Sequence, residues 1–144
     1  MKLGLIVTAG GEARDRIAPI EPEAHWRAGY LGAIAARAAF SEGDEWLDDI
    51  IARLDDNKRM LGELLAEQLP QIGYVPPDAS FLAWLDCRSV GDDPAQVFLE
   101  RGRVALSRGL DFGAQGAGFA RLNFGTDAER LEEAVSRMAA ALSR

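Results

Sequence analysis

One amphipathic stripe constrains this chain more than any other feature. Leu47, Ile50, Ile51, Leu54, Leu61, Leu64, Leu65 and Leu69 recur at helical spacings, while Asp48, Asp55, Arg59, Glu63 and Glu67 lie on the opposite face. Such a segment is a long helix with one side on a core and the other in water. Gly43 followed by Asp44 marks a helix stop and a fresh N-cap, and Pro70 ends the new helix. Upstream, residues 23–40 are Ala-rich and helical in character.

Beyond Pro70 the hydrophobic period changes. Phe81-Leu82-Ala83-Trp84-Leu85-Asp86-Cys87 reads as a strand, entered through Pro76-Pro77. Asp93-Pro94 opens a short helix, with a capping acid and a proline in the first turn. Val104 to Ser107 is a brief strand, and a loop bearing Gly109, Gly113, Gly116 and Gly118 leads into the strand Phe119 to Phe124. Thr126-Asp127-Ala128-Glu129 forms a capping box for a last helix that buries Leu131, Val135, Met138 and Leu142. At the other end, Leu3 to Thr8 is apolar on both faces, as in a strand inside a sheet, and a polar loop follows to Pro22. The order is strand, two helices, then β-α-β-β-α, an α+β layer arrangement.

Composition excludes several classes of function. A formal charge of −7 disfavours nucleic acid, which is bound by Lys and Arg neutralising phosphates. No apolar run reaches the length of a membrane span. The N-terminal apolar stretch lacks a basic n-region, so it reads as a strand and not as a signal peptide. The single cysteine, Cys87, has no internal disulfide partner, which points to a reducing cytoplasm. One histidine and one cysteine leave little for a zinc or iron site, and nothing points to a carboxylate-only magnesium site. His25 reads as a surface or packing residue and Cys87 as a buried structural thiol. Gly10-Gly11 lacks the longer glycine pattern of a phosphate loop.

Arg121 stands apart. It sits mid-strand after the glycine-rich loop and shares a face with Phe119 and Asn123, while Ala120, Leu122 and Phe124 point the other way. A charge there needs a partner, because burying it alone is costly. Two readings are open: an internal ion pair with one of the many acids, or a clamp for a ligand carboxylate, whose geometry matches the planar guanidinium. The preceding glycines would let backbone approach a ligand closely.

The run from Gly109 to Phe124 contains Phe112-Gly113-Ala114-Gln115-Gly116-Ala117-Gly118-Phe119-Ala120-Arg121-Leu122-Asn123. It resembles the closing Phe-Gly-x-x-Gly-x-Gly-Phe-x-Arg-x-Asn motif of fold-type I pyridoxal-phosphate enzymes, the class I/II aminotransferases and C–S lyases. Residues Ala79 to Arg88 are similar to the strand that opens the small domain in that family. Tyr30 to Ala35, through Glu45-Trp46-Leu47-Asp48, are similar to the helices that link its large and small domains. Within the family these segments look closest to the cystathionine β-lyase branch, that of the MalY and PatB proteins.

The resemblance implies a division into residues 1–22, the end of a large cofactor-binding domain; 23–70, linking helices; and 71–144, a C-terminal small domain. It implies that Arg121 holds the substrate α-carboxylate and that Lys2 is a contact to pyridoxal 5'-phosphate; an exposed terminal lysine is the other reading of Lys2. It also implies that the Schiff-base lysine, the aspartate on the pyridine nitrogen and most phosphate contacts lie upstream of this chain. The expectation is then a C-terminal part of an amino-acid-metabolising homodimer, which needs an N-terminal part of the same enzyme and is inactive alone. The competing expectations are a stand-alone α+β module that binds an amino acid without catalysis, and a structural partner that caps another chain.

Overall fold

The computed structural model describes residues 3–20, 23 and 26–143. They fall into two compact units, Met1–Asp49 and Ile50–Arg144.

In the first unit, helix α1 spans Gly11–Ile17 and helix α2 spans Tyr30–Glu42. Neither has a buried side chain; the one buried residue in them is Gly32 of α2. Trp26, Tyr30, Leu31, Phe40 and Trp46 all face solvent. The strand expected at Leu3 to Thr8 does not form: these residues have no regular structure, and Leu5, Ile6 and Val7 are exposed. A strand exists through its ladder partner, and no described strand pairs with this segment. The loop expected after Gly11 is in part a helix, α1, with paired Glu12 and Arg16 one turn apart.

Helix α3, Asp44–Gln68, follows the predicted stripe and stops before Pro70. From Ile50 onward it belongs to the second unit. Burial along it is uneven: Asn57, Leu61 and Leu65 are buried, and Leu69 just beyond is too, whereas Leu47 and Ile51 are about half exposed.

The second unit is built on a four-stranded antiparallel sheet, ordered β1-β2-β4-β3. Its strands are β1, Gly73–Tyr74; β2, Leu82–Asp86; β3, Ser107–Arg108; and β4, Phe119–Asn123. Helix α4, Pro94–Val97, runs into a π-helical turn at Phe98–Gly102, and helix α5, Ala128–Leu142, closes the unit. Asp93 caps α4 by accepting from the Gln96 backbone N–H, as expected.

Alternation in the strands separates two faces. Ala83, Leu85, Ala120 and Leu122 point into a core shared with Leu61, Leu65 and Leu69 of α3, Phe98, and Leu131, Val135 and Met138 of α5. Trp84, Phe119 and Arg121 point away from it, and Trp84 lies directly opposite Arg121 in the β2–β4 register. Asn57 ties helix to sheet: its buried amide donates to the carbonyls of Phe124 at 2.9 Å and Thr126 at 2.7 Å.

Three local expectations shift. The strand placed at Val104 to Ser107 is observed at Ser107–Arg108, because only these residues register with Arg121 and Ala120 of β4. The cap of α5 is Asp127, accepting from Arg130 N–H at 2.9 Å; the Thr126 carbonyl is instead taken by Asn57. Of the expected α5 stripe, Leu142 is only half-buried, and Ala141 is buried in its stead.

Candidate carboxylate-binding site

The coreless face of the sheet carries a row of aromatic rings. Trp84 stacks on Phe119 with centroids 5.7 Å apart and meets the Phe112 ring edge-on at 5.5 Å and 84°. Such offset and T-shaped contacts are the favoured arrangements of aromatic quadrupoles. Phe112 reaches the sheet because the chain between β3 and β4 folds into two short 3₁₀ turns, Gly109–Phe112 and Ala114–Gly116. Two glycines make this compact. A Cβ on Gly109 would stand 2.1 Å from the Gly116 carbonyl oxygen, and one on Gly116 would stand 1.9 Å from that of Gly109. The Gln115 side-chain amide then donates to the Phe112 carbonyl at 3.1 Å.

Two arginines lie against this row, and they differ. The Arg88 guanidinium rests 5.5 Å from the Phe119 centroid, and its Nε donates to Asp86 at 2.9 Å. That hydrogen bond holds the Asp86 carboxyl below its ordinary range and raises Arg88. Arg88 is therefore already neutralised. Arg121, half-buried, has no such partner: among the described residues it makes no ion pair. Its Nη2 donates to the Ser107 hydroxyl at 3.1 Å, and its Cζ lies 4.8 Å from the Phe112 centroid. Its Nε is buried without an acceptor. A guanidinium so placed has charge and donors to spare, which is the chemistry of an anion clamp. The internal ion pair expected as the other reading of Arg121 is not formed among the described residues.

The remaining sequence candidates fall elsewhere. Lys2 and His25 lie outside the described residues. Lys58 is the one described lysine; it sits on α3 and pairs with Asp55 at 2.7 Å. Cys87 is fully buried, and burial with the nearby Asp86 charge pushes its thiol up to about 12, so it is an inert core group. No group of three or more metal-ligating side chains occurs among the described residues. None of the described helices is long and apolar enough to cross a membrane. A cleft of about 290 Å³ between α3 and the end of β4 is lined by Ile50, Arg53, Leu54, Asn57, Phe81 and Asn123, and Arg121 does not border it. Sequence reasoning missed Ser107 and Phe112. The available signal was a hydroxyl ending the apolar run Val104-Ala105-Leu106 and an aromatic between two loop glycines.

No family model matches the chain. It is 41% identical over 156 aligned positions to a protein of Mycobacterium tuberculosis provisionally named cystathionine β-lyase, covering 95% of this chain and 38% of that protein. It is 38% identical over 112 positions to the cystathionine β-lyase PatB of Bacillus subtilis, covering 76% of this chain and 29% of that one. Among solved structures, a Corynebacterium diphtheriae protein provisionally described as a pyridoxal-phosphate-dependent β-cystathionase superposes with a TM-score of 0.86 at 35% identity, over 96% of this chain and 37% of that one. The chain thus spans well under half the length of the relatives it matches.

Proposed function

We propose that this chain, which belongs with the pyridoxal-phosphate-dependent cystathionine β-lyases and matches their C-terminal part, is the substrate-carboxylate-holding portion of a C–S β-lyase acting on an amino acid. The observation that carries this reading is Arg121: a half-buried guanidinium with no acidic partner among the described residues, flanked by neutral groups, on the sheet face that has no core behind it. Names of the relatives favour C–S cleavage over amino-group transfer.

The division of labour follows from what the residues offer. The cofactor, when bound, supplies the electron sink at the substrate's α-carbon. The described residues do not fit the cofactor's own site, since Lys58 is held by Asp55 on a helix of the second unit. Arg121 fits the other end of the substrate. It holds the α-carboxylate by two parallel hydrogen bonds and so fixes which bond at the α-carbon faces the reacting group. Trp84, Phe112 and Phe119 give that carboxylate apolar neighbours, with Trp84 and Phe112 partly open to solvent on this face. The chain accordingly has residues 1–22 and 23–70 as the end of a larger domain and its linking helices, and residues 71–144 as the small domain. Its partner is an N-terminal part of the same enzyme, and the assembly is a homodimer.

The test joins this chain to the upstream part of the Mycobacterium tuberculosis relative and supplies pyridoxal phosphate with cystathionine. The expected result is release of a thiol, ammonia and a keto acid by the joined protein, and none by the 144-residue chain alone. Transfer of the amino group to an added keto acid, without thiol release, would make it an aminotransferase instead. Turnover by the chain alone would refute the division of labour.

A further inference from the structure

The clamp is built around its arginine before any ligand arrives. A free arginine side chain carries about 2 kcal/mol of rotamer entropy, which a loosely held clamp would lose on binding. Here two neutral groups restrain it. The Ser107 hydroxyl accepts from Nη2 at 3.1 Å, and its place is set by the β3–β4 register, in which Ser107 lies opposite Arg121. The Phe112 ring lies 4.8 Å from Cζ. That ring is fixed in turn by the edge contact with Trp84, by the Gln115 hydrogen bond to its carbonyl, and by the Gly109–Gly116 close approach. The chemical type of both restraints matters. An acid at either position would orient Arg121 equally well and neutralise it, leaving nothing for a ligand carboxylate. A hydroxyl and an aromatic face orient the cation and leave its charge available, and the buried Nε–H is still without an acceptor.

We propose that Ser107 and Phe112 are positioning residues that hold the Arg121 guanidinium ready for a carboxylate. This rests on the carboxylate-clamp reading of Arg121. The experiment uses the full 144-residue chain, with arginine side-chain ¹H–¹⁵N spectra recorded during titration with L-alanine and, separately, L-alaninamide. In the wild type, L-alanine shifts the Arg121 Nε–H signal and the amide does not, and the Nη signals are resolved by hindered rotation. Ser107→Ala averages the Nη signals and weakens L-alanine binding by about tenfold, or ~1.4 kcal/mol. Ser107→Thr, which restores the hydroxyl on a strand-compatible side chain, recovers both. Phe112→Leu keeps an apolar residue, abolishes the ring's shift on the Arg121 signals and weakens binding in the same direction. Resolved Nη signals and unchanged affinity in Ser107→Ala and Phe112→Leu would overturn the positioning role and leave the clamp standing. A wild-type Arg121 signal that L-alanine does not move would overturn the clamp, and this inference with it.

Discussion

Replacing Arg121 should cost this chain little stability, although the residue lies mid-strand and half-buried. Arg121→Met removes a charge-assisted hydrogen bond to Ser107, worth about 1.5–3 kcal/mol. It also removes the contact with the Phe112 ring, about 0.5–2 kcal/mol. Against these losses, it removes a buried Nε–H whose missing acceptor costs about 1–3 kcal/mol, and it puts a flexible apolar side chain beside Trp84. The opposing terms offset to within about 1–2 kcal/mol. With a urea slope of about 1–3 kcal/mol per molar for a small protein, the unfolding midpoint should move by about 2 M at most. Equilibrium urea melts of the chain, followed by tryptophan fluorescence and far-ultraviolet signals together, measure this. A loss of about 3–5 kcal/mol is what stranding a buried carboxylate costs. That result would mean that Arg121 has an acidic partner in solution, and it would refute the reasoning that its charge is uncommitted.

Three other perturbations test the frame around the site. Asn57→Leu leaves the Phe124 and Thr126 carbonyls without their donor, and the urea midpoint should fall by the equivalent of about 2–4 kcal/mol; a neutral result would contradict the role of Asn57 as the tie between α3 and the end of β4. Gly116→Ala would drive a Cβ into the Gly109 carbonyl oxygen, so the loop should open and the ring-current shift of Phe112 on Arg121 should vanish; unchanged side-chain spectra would show that the loop tolerates a Cβ there. The Arg108 hydrogen bond, its largest cause, holds the Asp93 carboxyl below its ordinary value. A depressed native pKa stabilises above the unfolded value of about 3.9 and is lost as pH falls through the native one, so Asp93→Asn should flatten the stability curve only below about pH 4; an equal effect at pH 7 and pH 3 would contradict the ion pair.

The parts legible in the sequence are those fixed by one segment's own chemistry. The Leu stripe of α3, the Pro70 stop, the alternation around Arg121 and the Asp93-Pro94 helix start each depend on nearby residues, and each is observed. Leu3 to Thr8 carries a strand's composition, yet a strand is a relation between two segments, and the sequence of one names no partner. The two-residue strands β1 and β3 are too short for periodicity to locate; their extent follows from the register with Asp86, Leu85, Arg121 and Ala120. For the site, Arg121 was legible because a charge in an apolar strand needs an explanation. Its supports were not. Ser107 and Phe112 meet it only through register and through a loop whose compactness depends on two glycines seven positions apart.

The claim that Arg121 binds the substrate carboxylate is tested most directly by kinetics of the joined, complete lyase. Wild type, Arg121→Ala and Arg121→Lys are each assayed on an amino-acid substrate and on its α-carboxamide. Loss of charge-assisted hydrogen bonds worth about 1.5–3 kcal/mol predicts that Arg121→Ala lowers kcat/KM by roughly ten- to somewhat over a hundredfold on the acid. Arg121→Lys should recover only part, since an ammonium keeps the charge and loses the fork. The amide should be a poor substrate for wild type and should lose little more in either variant. An Arg121→Ala enzyme with unchanged kcat/KM on the acid, or with the same fold loss on acid and amide, would contradict the clamp.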